Sequence, residues 1–541
     1  MSKIISYKDK HVLIIDDMAD MRSSLRNQIG SLEITSVGVA SSIRDALDLL
    51  KQKRYDVILC DYYLGGSTDG QQFLEYLRTA KIISRATLFI MITAETGYES
   101  VITAAECLPD DYLLKPFTAE TLRSRFQRLM EKKIRLQAID QLHDKAAWLE
   151  IIAACDDIIA TRDKYLVDAM RIKGNALLMA EKNDEAMQFY EQALSVRAMP
   201  WAKLGLAKAM KAKGNGEQAK QLLSDLINDS PNLLSAYDLL GKIHTESGDD
   251  VAAIAILDKA STVAPNSLTR QRSLAGLAER TGDFKRVEQA LTTVLKKTKN
   301  SPLRDPADYV KLSGAYMEMN DAAKAINVIE DAKTTFKGTG ELRSVSAMEA
   351  QVLHKTGKPE LANEALDRAL SGGTTGISEE LAFALAKACL VNDRAATAGD
   401  ILKHVLQNNP DSDEVKNAVS MIFQHHGGEE AAKELIERST QEVVALNNEA
   451  VLKAKSGAYA EASQMLTEAA FRLPNNMQIV ANASLSLLAD VLMNQMDNIK
   501  VKQAKDFAIT LAKTNKEHPK LTEISRFLKK IQTKYQLDTP L

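Results

Sequence analysis

Only 5% of the 541 residues are aromatic, and there are just 12 prolines and 25 glycines. That scarcity argues against a chain made mainly of strands and turns, and the abundance of Ala, Leu, Lys and Glu favours helices. Four cysteines, Cys60, Cys107, Cys155 and Cys389, stand far apart and form no CxxC. This speaks against a disulfide framework or a zinc site, and reduced, mostly buried thiols are expected. No run of about 18 apolar residues occurs, which speaks against a membrane-spanning helix. Residues 1–10 carry no apolar core followed by a cleavage site, so a cytoplasmic protein is expected. The net charge is −3, and no broad basic field points to nucleic acid or an anionic membrane. One core does not normally hold a chain of this length, so several domains are expected.

What is present is a series of short apolar runs that each stop at a polar residue. The clearest is Tyr55 to Leu64, which reads as a buried parallel strand that stops at Asp61 before Gly65-Gly66. His11 to Ile15 runs into Asp16-Asp17, Thr87 to Ile92 ends at Thr93, and Asp111 to Leu114 ends at Lys115-Pro116. Helices are expected between and after these runs, near 18–30, 41–53, 69–80, 97–106 and 117–131. Strand and helix alternate five times, which predicts a doubly wound α/β domain with a parallel sheet and right-handed crossovers. In such sheets ligands sit beyond the carboxyl ends of the strands, so three acids, a hydroxyl and a lysine converge on one edge.

Singly, each has an ordinary structural role: Asp16-Asp17 and Thr93 as helix caps, Asp61 as a turn former, Cys60 as core. Capping does not, however, require Lys-Pro after a fifth strand. Hard oxygen ligands at this density suit Mg²⁺, which binds one or two carboxylates and completes its shell with water and phosphate oxygens. The chemistry this edge suggests is transfer of a phosphoryl group to a carboxylate, with Lys115 and the Thr93 hydroxyl holding its oxygens.

On these residues, in this order, residues 8–132 resemble the receiver domains of two-component response regulators, and so imply a flavodoxin-like five-stranded sheet. The resemblance implies that Asp61 is the phosphoacceptor, that Asp17 and Asp61 ligate Mg²⁺ directly and Asp16 through water, and that the Tyr63 backbone carbonyl adds another oxygen. Thr93 and Tyr112 would be the switch pair. Tyr63 and Glu95 fall where the family tunes loss of the phosphoryl group. The sequence departs from the family pattern after Asp61, where Leu64-Gly65-Gly66-Ser67-Thr68 replaces the usual Met-Pro and is one residue longer. A more mobile loop is expected there.

The last receiver helix has no breaker at its end and is expected to run into a helical connector over 133–163. Beyond it a period of thirty-four residues appears: Gly214, Gly248 and Gly282 fall in phase, as do Ala219, Ala253 and Val287, and Pro231 and Pro265. This resembles the tetratricopeptide repeat (TPR), and implies an all-α superhelix over 164–476 of about nine helix pairs, with capping helices over 477–541. Small residues let paired helices approach, and the glycine ends the first helix of each pair. Breaks in phase at Ser301–Pro306 and Ser371–Ile377 read as insertions. Arg171 and Asn175 match part of a carboxylate clamp found in some chaperone-binding repeats, but Gly205 stands where a second Asn is needed. His425-His426 diverge on a helix and lack a third ligand. The lysines from Lys500 to Lys534 read as a solvated face.

Together these readings describe a response regulator phosphorylated on Asp61 by a histidine kinase or phosphotransfer protein, whose output is a protein partner held in the repeat groove, including the kinase itself. No enzymatic constellation is found beyond Lys115. The alternatives are a transcriptional regulator, for which no helix-turn-helix or basic recognition face stands out, and a phosphatase of partner phosphoproteins. By resemblance alone, a homodimer would use the face of the fourth and fifth receiver helices.

Overall fold

The computed structural model describes residues 7–65, 68–94, 109–265, 267–299, 301, 303–374, 376–426, 428–515 and 518–536. The expected fourth receiver helix (97–106), Glu95 and Cys107 lie outside the described residues, as do the side chains of His425 and His426.

The chain divides into two compact units, Met1–Met319 and Asn320–Leu541. The first opens with strands β1 (His11–Ile15), β2 (Ser36–Ala40), β3 (Val57–Asp61), β4 (Leu88–Thr93) and β5 (Asp111–Leu114). They form one parallel sheet in the order β2-β1-β3-β4-β5. Every residue of β3 and β4 is buried, because helices cover both faces. Alternate residues serve opposite faces. Val12, Ile14 and Leu59 pack with helices α1 (Ala19–Gly30) and α4 (Ala119–Asp144). Leu13, Ile15 and Ile58 pack with α2 (Ile43–Gln52) and α3 (Gly70–Thr79). The sheet thereby brings the ends of β1, β3, β4 and β5 to one edge.

α4 is a single helix of 26 residues. Its first half closes the sheet through Leu122 and Phe126. Further on, Leu136 and Ile139 pack on Ile151 and Cys155 of α5 (Trp148–Ala160). One helix therefore belongs to both the α/β core and the first helical layer.

The helical part of this unit continues with α6 (Leu166–Met179), α7 (Asn183–Val196), α8 (Pro200–Ala212), α9 (Gly216–Asp229), α10 (Leu234–Glu246), α11 (Asp250–Val263), α12 (Leu268–Arg280), α13 (Phe284–Lys297) and α14 (Pro306–Glu318). Gly214, Gly248 and Gly282 have φ of 83°, 78° and 75°, the left-handed conformation that ends the first helix of a pair. Five residues after each of these glycines, the second helix buries Ala219, Ala253 and Val287. Tyr190 is fully buried against two glycines: a Cβ on Gly205 would lie 2.2 Å from its ring, and one on Gly174 2.4 Å from its hydroxyl. An asparagine at 205 is sterically barred there, which explains the incomplete carboxylate clamp. Arg171 instead stacks on Trp201, 5.6 Å from the ring centroid.

The second unit holds α15 (Ala322–Thr335), α16 (Leu342–Lys355), α17 (Pro359–Leu370), α18 (Glu379–Val391), α19 (Ala395–Asn408), α20 (Asp413–His426), α21 (Glu429–Lys455), α22 (Tyr459–Arg472), α23 (Met477–Met493), α24 (Asn498–Thr514) and α25 (Pro519–Lys534). α21 is unbroken for 27 residues. Three of the four cysteines, Cys60, Cys155 and Cys389, are free and buried. No helix among the described residues is long and apolar enough to cross a membrane.

Candidate phosphoacceptor site

Strand geometry delivers the acids. Asp16 directly follows β1 and Asp61 ends β3, its neighbour in the sheet. One carboxylate oxygen from each of Asp16, Asp17 and Asp61 lies within 4.8 Å of the others. Asp16 is fully buried, Asp61 is 7% exposed, and Asp17 faces solvent. The Asp16 carboxylate is oriented by the Met18 backbone N–H at 2.9 Å. Arg22 donates to the carbonyls of Asp16 and Asp17 at 2.7 and 2.8 Å, fixing the backbone of the acid pair.

Lys115 arrives from the end of β5. Its backbone N–H donates to the Thr93 carbonyl at 2.7 Å. Its ammonium lies 3.2 Å from Asp16 Oδ2 and 3.1 Å from Asp61 Oδ2, bridging the two buried acids. Burial pushes the Asp61 carboxyl up from its ordinary value, while Lys115 opposes that shift. One cation serves two buried carboxylates and a third at the rim, so negative charge is in excess, and a hard divalent cation fits this donor set.

The remaining residues fall around this centre. Thr93 ends β4 next to Ile92, which pairs in register with Asp61, and it is buried. Tyr112 packs partly buried against the Leu13–Ile58 side of the sheet, with its hydroxyl oxygen shielded from solvent. The ring of Tyr63 is 52% exposed and meets Tyr62 edge-on. Gly65 has a φ of +67°, and a Cβ there would stand 2.7 Å from Asp17 Oδ2, so only glycine lets the loop pass the acid pair. Cys60 donates its thiol to the Asp61 carbonyl at 3.3 Å, and burial raises that thiol well above its ordinary range. It is core, not a nucleophile.

Two sequence matches bear on this geometry. The model of the response regulator receiver domain matches residues 12–127. The chemotaxis protein CheY-3 of Vibrio cholerae is 30% identical over 125 residues, which are 23% of this chain and 95% of that protein. The chain belongs to the response regulator receiver family. Another receiver relative, the chemotaxis protein CheY of Pseudomonas aeruginosa, is 29% identical over 121 residues, covering 22% of this chain and 96% of that protein. A tetratricopeptide repeat model matches residues 177–243. Among solved structures, CheY4 of Vibrio cholerae is 28% identical and covers 22% of this chain and 98% of its own, with a TM-score of 0.21. A tetratricopeptide repeat protein from Parabacteroides merdae is 16% identical and covers 49% of this chain and 98% of its own, with a TM-score of 0.29. This family member thus joins a receiver to TPR repeats.

The expectation of a looser loop after Asp61 meets a different finding at its far end. Thr68 and Asp69 are buried. Thr68 donates its hydroxyl to the Lys297 carbonyl at 3.1 Å. Asp69 caps α3 by accepting from Gln72 N at 2.8 Å, while its own N–H donates to the Gln72 side chain at 3.1 Å. Nothing local marks Thr68 or Asp69 for this contact, because capping residues are common and only the fold brings Lys297 beside them.

Proposed function

We propose that this chain is a response regulator that accepts a phosphoryl group on Asp61 and passes the change to its repeats, whose output is the binding of a protein partner. The observation that carries this reading is the Lys115 ammonium lying 3.1–3.2 Å from both Asp16 and Asp61 at the ends of adjacent strands. In the proposed step an Asp61 carboxylate oxygen attacks the phosphorus of a phosphohistidine on a kinase or phosphotransfer protein. The O–P bond forms as the N–P bond breaks, and the imidazole nitrogen leaves with the electron pair and takes a proton. Lys115 neutralises charge on the phosphoryl oxygens, and Thr93 donates its hydroxyl to one of them. Mg²⁺, held by Asp17 and Asp61, with Asp16 behind it and the Tyr63 carbonyl beside it, would supply the remaining positive charge. The Thr93 and Tyr112 positions fit a switch that relays occupancy of the edge to the surface.

Intact-mass measurement of the full chain with Mg²⁺ and a small phosphoryl donor tests this. A single hydroxylamine-sensitive phosphoryl adduct on the wild type, absent from Asp61→Asn, is the expected result. An adduct retained on Asp61→Asn would refute the assignment of the acceptor.

A further inference from the structure

Directly after the acceptor loop, α3 turns one flank toward the repeats. Glu75 accepts a hydrogen bond from the Thr269 hydroxyl, 194 residues away. Burial raises the Glu75 carboxyl, and the charges of Arg272 and Arg270 oppose that shift, which places both guanidiniums in its field. Tyr76 packs against the cluster of Leu268, Val294 and Leu303. The loop adds the Thr68 bond to Lys297 described above. The charge of Lys297 also acts on the buried Asp69 carboxyl, which burial pushes up to about 6.

On the repeat side the two arginines are built in. Arg270 is 2% exposed and holds both oxygens of Asp238 at 3.2 Å. Arg272 holds Asp308 at 2.8–3.2 Å and the Leu303 carbonyl at 3.1 Å. Two guanidiniums fixed by their own carboxylates, beside an apolar cluster, make a rigid receptor for one more carboxylate followed by an aromatic ring.

We propose that the α12–α13 face is a recognition site for an acidic–aromatic helix, that its resident ligand is the receiver's own α3, and that phosphorylation of Asp61 releases it to expose the face to a partner helix of the same character. Release rests on the acceptor reading; docking does not. The mechanical link is short. The Tyr62 carbonyl accepts from Gly70 N at 2.8 Å, and a Cβ on Gly70 would stand 2.4 Å from the Asp61 carbonyl, so the start of α3 cannot stay still when the Asp61 backbone shifts.

Hydrogen exchange on the full chain tests both parts. Glu75→Arg is expected to speed exchange in 268–280 and 284–297 by roughly tenfold or more while β3 and β4 stay protected. Glu75→Gln, which keeps an acceptor for the Thr269 hydroxyl, is expected to retain protection, which a general loss of folding at this position would not allow. Unchanged exchange in Glu75→Arg overturns the docking. Mg²⁺ with beryllofluoride is expected to give the same local increase in the wild type and none in Asp61→Asn. If the phosphoryl adduct forms on Asp61 but beryllofluoride leaves 268–297 protected, the release is overturned and the acceptor reading stands. If no adduct forms, the acceptor reading and the release fail together, and the docking is judged by the Glu75 pair alone.

Discussion

The acceptor edge and the α12 face both bury charge, and they resolve it in opposite ways. At the edge, among the described residues, Asp16 and Asp61 share one cation, Lys115, with Asp17 at the rim, so negative charge is left over. At α12 each arginine has its own carboxylate, Asp238 or Asp308, and Glu75 closes the set from the receiver. A buried ion is costly unless it is paired. The excess at the edge therefore favours a cation from solution, whereas at α12 each guanidinium is already chelated and the third carboxylate, Glu75, also comes from the chain itself. A ligand site and an internal contact thus differ in whether each cation has a carboxylate of its own.

Removing one cation from each place sharpens the contrast most. Arg270→Leu leaves Asp238 and Glu75 buried without it, and is expected to cost about 4 kcal/mol in urea unfolding, with no rescue by Mg²⁺. Lys115→Ala is expected to cost about 3 kcal/mol, because Asp16 and Asp61 then repel one another unscreened. Here millimolar Mg²⁺ should recover most of the loss. Equal rescue of both variants, or of neither, would break the distinction.

A smaller effect is expected from Asp17→Ala, since Asp17 is exposed and holds no structural partner role in the core. The fold should keep its unfolding midpoint, and Mg²⁺ affinity by calorimetric titration should fall by about 100-fold.

The smallest effect concerns Asp69, between the two places. Its carboxyl is pushed up to about 6 by burial, so the folded chain holds a proton that the unfolded chain releases near its ordinary value of 3.8. Stability therefore falls as pH rises from 3.8 to about 6 and is level above that. Asp69→Asn keeps the cap and removes the charge. It is expected to gain roughly 2 kcal/mol over the wild type at pH 7.5 and nothing near pH 4, read from urea midpoints at both pH values. A gain that is the same at both would show that the charge is not what the burial opposes.

Much of the acceptor edge was legible beforehand because strand ends are a local property. An apolar run that stops at Asp61, or at Asp16, states its own place in a parallel sheet, and Thr93 and Lys115 follow the same rule. The repeats were legible for a similar reason: Gly214, Gly248 and Gly282 set a phase that their neighbours repeat. Elsewhere the local mark is weak. α21 stays whole because nothing between Glu429 and Lys455 breaks a helix. Glu75 and Tyr76 carry no local mark of the contact they make. Arg270 was the available signal, a charged residue at the position where the preceding repeat buries Ala236.

The order of the elements, the acids at the sheet edge and the pairing of helices were written in short stretches of chain, where the residues that cause a structure are those that adopt it. Which face of the receiver meets which repeat was not. Thr68 and Lys297 are 229 residues apart and Glu75 and Thr269 are 194 apart. Their meeting depends on the small rotation each helix pair adds to the last, a sum that no single repeat carries in its own sequence.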